Sequence, residues 1–86
     1  MTTLEIANPP SGATYLIDPT LRREFQTLPL RATTARPGIL EWFVDGRSVG
    51  RTGSDAALMW PLSSGTHTVM VRDEQDRSAT ASITVK

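Results

Sequence analysis

The sequence predicts an all-β chain, an immunoglobulin-like or fibronectin-like antiparallel β-sandwich of about seven short strands. Three observations carry that expectation. Apolar and polar residues alternate with a period of two along several short runs, most plainly Leu40-Glu41-Trp42 and Ala79 to Val85. No window repeats apolar residues at i, i+3, i+4, as an amphipathic helix would. Most of the six prolines and six glycines fall between the alternating runs, where turns are needed. An antiparallel barrel shares this rhythm and is the structural alternative.

In chain order, Leu4 and Ile6 alternate with Thr3 and Glu5 in a first strand, which Asn8-Pro9-Pro10-Ser11-Gly12 ends. Ala13 to Ile17 forms a second extended piece with Tyr15 and Ile17 on one side, broken by Asp18-Pro19. Thr20 to Glu24, with the Arg22-Arg23 pair, reads as a loop. Phe25 to Thr33 is the next strand, with Leu28, Leu30 and Ala32 in phase. Pro29 lies on its opposite face and withholds one ladder donor, which predicts an edge position or a bulge. Arg36-Pro37-Gly38 then turns the chain.

Ile39 to Val44 follows, with Leu40, Trp42 and Val44 on one side and Trp42 as the expected centre of the core. Asp45-Gly46 predicts a type I′ hairpin, whose two central residues need positive φ. Ser48-Val49 reads as a short return strand and Gly50 to Ala57 as a polar loop. Leu58, Trp60 and Leu62 alternate around Met59 and Pro61. After Ser63-Ser64-Gly65, His67, Val69 and Val71 share a face against Thr68, Met70 and Arg72. Arg72 to Arg77 is a solvated hairpin loop, and Ala79, Ala81, Ile83 and Val85 alternate with Thr80, Ser82 and Thr84. The expected core is Leu4, Ile6, Leu28, Leu30, Leu40, Trp42, Val44, Trp60, Val69, Val71, Ile83 and Val85.

The 86 residues make a single domain, 1–86, expected to be excised from the C-terminus of a longer chain. A chain of this size buries roughly 60–65% of its unfolded surface, enough for one modest core. It has no cysteine, so no disulfide or thiolate metal site. Nine basic and nine acidic residues balance, and no basic stripe appears, which argues against a nucleic-acid surface. The apolar runs are far too short to span a membrane, and the start shows no signal peptide.

Candidate chemistry is sparse. His67 is the one histidine. Ser63 or Ser64 and Asp45 or Asp73 lie where a nucleophile–base–acid arrangement is conceivable. The favoured reading is a histidine satisfied near the sandwich rim, because no catalytic motif flanks it. One histidine without cysteine does not make a conventional zinc site. Asp73, Glu74 and Asp76 lack the alternating frame of a calcium loop, so they read as a solvated turn. No catalytic, cofactor-binding or metal-binding residue is therefore assigned. Phe43, Met59 and Met70 fall out of phase with their strands' core faces. With Arg47 they are the candidate partner-binding residues, and Leu16 and Phe25 are further candidates. Arg22-Arg23 and Arg47 have the chemistry to hold carboxylates, although a solvated role is the expectation.

Taken jointly, several segments resemble a known family. They are Ala13-Thr14-Tyr15-Leu16-Ile17-Asp18-Pro19, Leu28-Pro29-Leu30-Arg31-Ala32, Trp42-Phe43-Val44-Asp45-Gly46, Trp60-Pro61-Leu62, Gly65-Thr66-His67 and Val69-Met70-Val71-Arg72-Asp73. In that order they resemble the C-terminal module of bifunctional class A penicillin-binding proteins of the 1C type. One departure stands out: Asp76-Arg77-Ser78 occupies the turn where a glycine is expected after Asp73. The resemblance implies a parent enzyme that polymerises and cross-links peptidoglycan, with this module as a periplasmic tail tethered through the parent to the inner membrane. It implies a periplasmic protein partner, for instance an α2-macroglobulin-like protein, or docking onto the parent's own catalytic domains. The module alone is expected to be no enzyme. Transpeptidation needs a Ser with a Lys three residues on and a K-T-G element, and Lys86 is the one lysine. Binding of peptidoglycan glycan strands is the alternative, disfavoured because only two Trp, one Tyr and two Phe are available for stacking.

Overall fold

A computed structural model describes residues 4–22, 25–35 and 37–86. Eight strands follow in order: β1 Leu4–Asn8, β2 Thr14–Tyr15, β3 Thr27–Thr34, β4 Ile39–Val44, β5 Arg47–Gly53, β6 Leu58–Pro61, β7 Gly65–Arg72 and β8 Ser78–Val85. They form a three-stranded sheet, β1-β3-β6, and a five-stranded sheet, β2-β8-β7-β4-β5. The two sheets pack as a β-sandwich. Arg23, Glu24 and Arg36, to which the loop and turn readings extended, lie outside the described residues, as does Thr3.

The core sits where the alternation placed it. Leu28, Leu30, Leu40, Trp42, Val44, Trp60, Val69, Val71, Ile83 and Val85 are all buried, joined by Ala32 and Ala81. Leu4 and Ile6 are half-buried and pack against this cluster from β1. Trp42 is wholly shielded, and its indole N–H donates to Thr52 Oγ1 at 3.2 Å, so burial leaves no donor unpaired.

Three local differences from the sequence reading have physical causes. First, β2 pairs β8 in parallel, whereas every other pair is antiparallel. The chain leaves the three-stranded sheet after Asn8 and crosses to the other layer, where it meets β8 running the same way. Second, β5 extends through Gly53 instead of ending at Val49. This segment has no apolar alternation, because it is an edge strand paired only with β4. Its register slips between Trp42 and Phe43, and Gly50 accommodates the irregularity at φ +147°.

Third, β3 lies at the centre of its sheet despite Pro29. The Pro29 carbonyl accepts a hydrogen bond from Asn8 Nδ2 at 2.6 Å, so it faces β1. A residue's N and C=O point to the same neighbour in an extended strand. The donor that proline lacks is therefore missing past the end of β1, whose last pair joins Asn8 to Arg31. β1 does carry an irregularity, between Ile6 and Asn8, but it lies opposite Ala32 and Arg31 and not opposite Pro29.

Both hairpins obey their φ requirements. Asp45 and Gly46 take φ +54° and +83°, as a type I′ turn demands. In the β7–β8 loop the left-handed position falls to Asp76, at φ +64°. The departure from glycine is thus met by a residue type that tolerates this region better than most.

Candidate functional site

The outer face of the five-stranded sheet carries Phe43 and Met70, direct cross-strand neighbours on β4 and β7. Both are half-buried, and the Arg72 guanidinium lies 5.1 Å from the Phe43 ring centroid. Beside this strip, Glu41 is the hub of a charged row. It lies 3.7 Å from Arg51 and 3.9 Å from Arg72, and Ser48 Oγ donates to it at 2.9 Å. Such exposed pairs contribute roughly 0–1 kcal/mol each and chiefly set the charge pattern of the face.

The other sequence-assigned residues lie elsewhere. Met59 projects from the outer face of the opposite layer, paired in register with Pro29 and 54% exposed. Arg47 begins β5 at the tip of the β4–β5 hairpin and is exposed. Phe43 and Met70 are thus brought together, whereas Met59 and Arg47 do not join them. Among the described residues the barest large apolar side chains are Leu16 and Phe25, each 74% exposed, in the link from β2 to β3.

Among the described residues of this link, Gln26 bridges to Asp18 and Leu21. The Gln26 side chain accepts from Asp18 N at 2.7 Å and donates to the carbonyls of Asp18, at 2.9 Å, and Leu21, at 3.2 Å. Gln26 had no sequence signal, since a glutamine that bridges a loop looks like any polar residue.

At the opposite end of the sandwich, Asp73 organises the β7–β8 loop. Its Oδ1 accepts the amides of Gln75 and Arg77, and its Oδ2 accepts Arg77 Nε at 3.0 Å. Desolvation by itself would raise the Asp73 pKa. The two amides and then the Arg77 guanidinium outweigh it and hold the carboxyl below its ordinary value. Glu74 Oε1 caps the start of β4 by accepting Ile39 N at 2.9 Å. Between these loops lies a cleft of about 140 Å³, small beside ordinary ligand pockets. A broader open depression extends over Glu41, Arg51 and Arg72. It has no aromatic wall on which a sugar ring would stack, and its charges face one another.

His67 has a different geometry from a catalytic base. Its Nδ1 lies 2.6 Å from Asp45 Oδ2, but its Nε2 lies 2.8 Å from the Ser63 backbone carbonyl, not from a serine hydroxyl. With both nitrogens facing acceptors, no lone pair is directed at a nucleophile. Among the described residues no three His, Asp or Glu side chains converge as metal ligands. No helix among them is long and apolar enough to cross a membrane.

The two-layer sandwich, with sheets of three and five strands, has a fibronectin III-like fold. Consistent with this, the chain is similar in fold to the Clostridium thermocellum CbhA fibronectin(III)-like modules. That similarity has a TM-score of 0.72 at 20% identity, over 98% of this chain and 96% of that one. No curated protein matches the chain significantly. Residues 1–85 match the Penicillin-Binding Protein C-terminus Family, and the chain belongs to that family.

Proposed function

We propose that this chain is a non-catalytic interaction or regulatory module of a periplasmic peptidoglycan synthase of the penicillin-binding protein 1C type. It docks a protein partner, such as an α2-macroglobulin-like protein, or the synthase's own catalytic domains. The observation that supports this is the family match across residues 1–85. The geometry is compatible with it: the sandwich offers partly exposed apolar residues on preorganised backbone, and His67 is occupied structurally. The surfaces are the Phe43–Met70 strip and, on the other layer, Met59, with Arg47 at the adjoining hairpin.

The test is a pull-down from cells carrying the tagged full-length synthase. One variant replaces Phe43 and Met70 by Ser, and a second replaces Met59 by Ser. Loss of a co-purifying protein in one variant, with the isolated domain's circular dichroism intact, supports that surface. Unchanged recovery in both variants, with intact folds, refutes the surface assignment.

A further inference from the structure

We propose that His67 is a pH-operated clasp. As an imidazolium it ties the β4–β5 hairpin to the β6–β7 turn, and on losing a proton it releases that turn. This inference is independent of the docking reading above.

The argument starts from valence. A neutral imidazole carries one N–H and one lone pair, whereas an imidazolium donates from both nitrogens. Here Nδ1 faces the Asp45 carboxylate at 2.6 Å and Nε2 faces the Ser63 carbonyl at 2.8 Å. Both are acceptors, and the other Asp45 oxygen is already engaged, accepting Thr68 N at 2.9 Å. In the neutral form, whichever tautomer formed, one nitrogen lone pair would point at an oxygen lone pair. The ring is only 12% exposed, so water cannot readily intervene. Its edge packs on Trp60, with centroids 5.1 Å apart and planes at 73°, which restricts rotation away from the clash.

The surroundings add no competing charge. The hairpin presents Asp45, β6 presents the Trp60 ring, and the β6–β7 turn presents the carbonyls of Ser63 and Ser64. On β8 the registered neighbour is Ile83. Among the described residues Asp45 is the one charged group acting on the ring. The hydrogen bond to Asp45 raises the His67 pKa most, desolvation opposes it, and the serine carbonyls add to the rise.

Which contact opens is also determined. A single remaining proton belongs on Nδ1, where its hydrogen bond to a carboxylate is charge-assisted, and not on the nitrogen facing a neutral carbonyl. The Ser63 carbonyl then loses its donor, and the turn at Ser63 and Ser64 is freed up to Gly65, which stays in register with Val85. The folded pKa lies above the ordinary 6.5, so the clasp is fully closed below 6.5 and opens as pH rises through the higher value. The Asp45 pKa is lowered, first by the His67 hydrogen bond and then by the Thr68 amide. The clasp therefore also fails as pH falls below 3.8 toward the depressed value.

The test is a nitrogen-15 NMR titration of the 86-residue chain from about pH 5 to about pH 9. Expected are two protonated ring nitrogens at pH 6.5, a midpoint above that, and amide shifts of residues 63–65 that follow the same midpoint. Asp45→Asn, which keeps a residue tolerant of positive φ, should bring the midpoint down. A single protonated nitrogen at pH 6.5, a midpoint at or below it, or 63–65 amides indifferent to the titration would each overturn the proposal. These wild-type readouts suffice if the variant fails to fold.

Discussion

Replacing Trp42 by Ala tests the central packing argument most directly. A Trp side chain buries about 150–250 Å², worth roughly 4–6 kcal/mol at about 25 cal/mol per Å², an upper value for a compact unfolded state. Trp42 has no exposed surface, and residues of both layers surround its cluster, so collapse around the void is limited. The loss on truncation is therefore set at about 3–5 kcal/mol. Against it stands a total of about 4–13 kcal/mol for a domain of this length. Trp42→Ala should lower stability by about 3–5 kcal/mol, which unfolds the domain at 25 °C if its total lies at the low end of the range. Trp42→Phe, which keeps an aromatic ring but deprives Thr52 Oγ1 of its donor, should cost about 1–3 kcal/mol. Urea titrations followed by far-ultraviolet circular dichroism, with Trp60 fluorescence as a second probe, measure both. A loss below about 1 kcal/mol for the Ala variant would show that Trp42 is not what joins the layers.

Four further outcomes follow from the backbone and the loops. Asp76→Gly should change stability by less than about 0.5 kcal/mol, because relief at φ +64° is offset by a freer unfolded chain. Asp76→Val should cost about 1–2 kcal/mol in the same urea assay. Gly50→Ala should destabilise by about 1–2 kcal/mol, since its backbone is at φ +147° and a Cβ would sit 3.1 Å from Leu58 Cδ1. A neutral result there would mean that β5 shifts without resistance. Asp73→Asn should flatten the acid limb of a thermal-stability profile. The depressed Asp73 pKa gives stabilisation that is present above 3.8 and lost as pH falls through the folded value. An unchanged acid limb would show that the loop does not depend on the ionised carboxylate.

The sequence disclosed what is governed by local rhythm and local φ. Period-two alternation located β4, β6, β7 and β8 and ten buried core residues, and Asp45-Gly46 announced its hairpin. It did not disclose what depends on neighbours. Beyond Val49, β5 has the composition of a loop, and it is a strand because β4 offers it a ladder and Trp42 a hydrogen bond. Pro29 signals an edge, yet it sits in a central strand, because its missing donor faces past the last β1 pair, where Asn8 Nδ2 reaches its carbonyl. For the site, alternation marked Phe43, Met59 and Met70 as facing outward, but only sheet order shows that the first and third adjoin while the second lies on the other layer. His67 and Asp45 were each visible. Their meeting, and the carbonyl on the other ring nitrogen, required the fold.

The edges of the sheets bear on the proposed docking. Strand addition needs a regular, unpaired edge with free donors and acceptors. β2 is two residues long, and β5 is bent by the irregularity at Gly50. β1 is irregular before Asn8 and runs into Pro9 and Pro10, while β6 has four residues and ends in Pro61. Each edge is short or interrupted, and β5 also lies against β6 across the layers, where Gly50 meets Leu58. A partner that extended one of these sheets would gain few hydrogen bonds before meeting an irregularity or a proline. Side chains on the faces and loops are better placed. Phe43, Met70 and Met59 stand on paired strands, so their backbone is ordered before any partner arrives. Ordering cost is thereby removed from association. Docking through side chains on preformed surfaces is thus the mode this sandwich supports, and strand exchange is the mode its edges oppose.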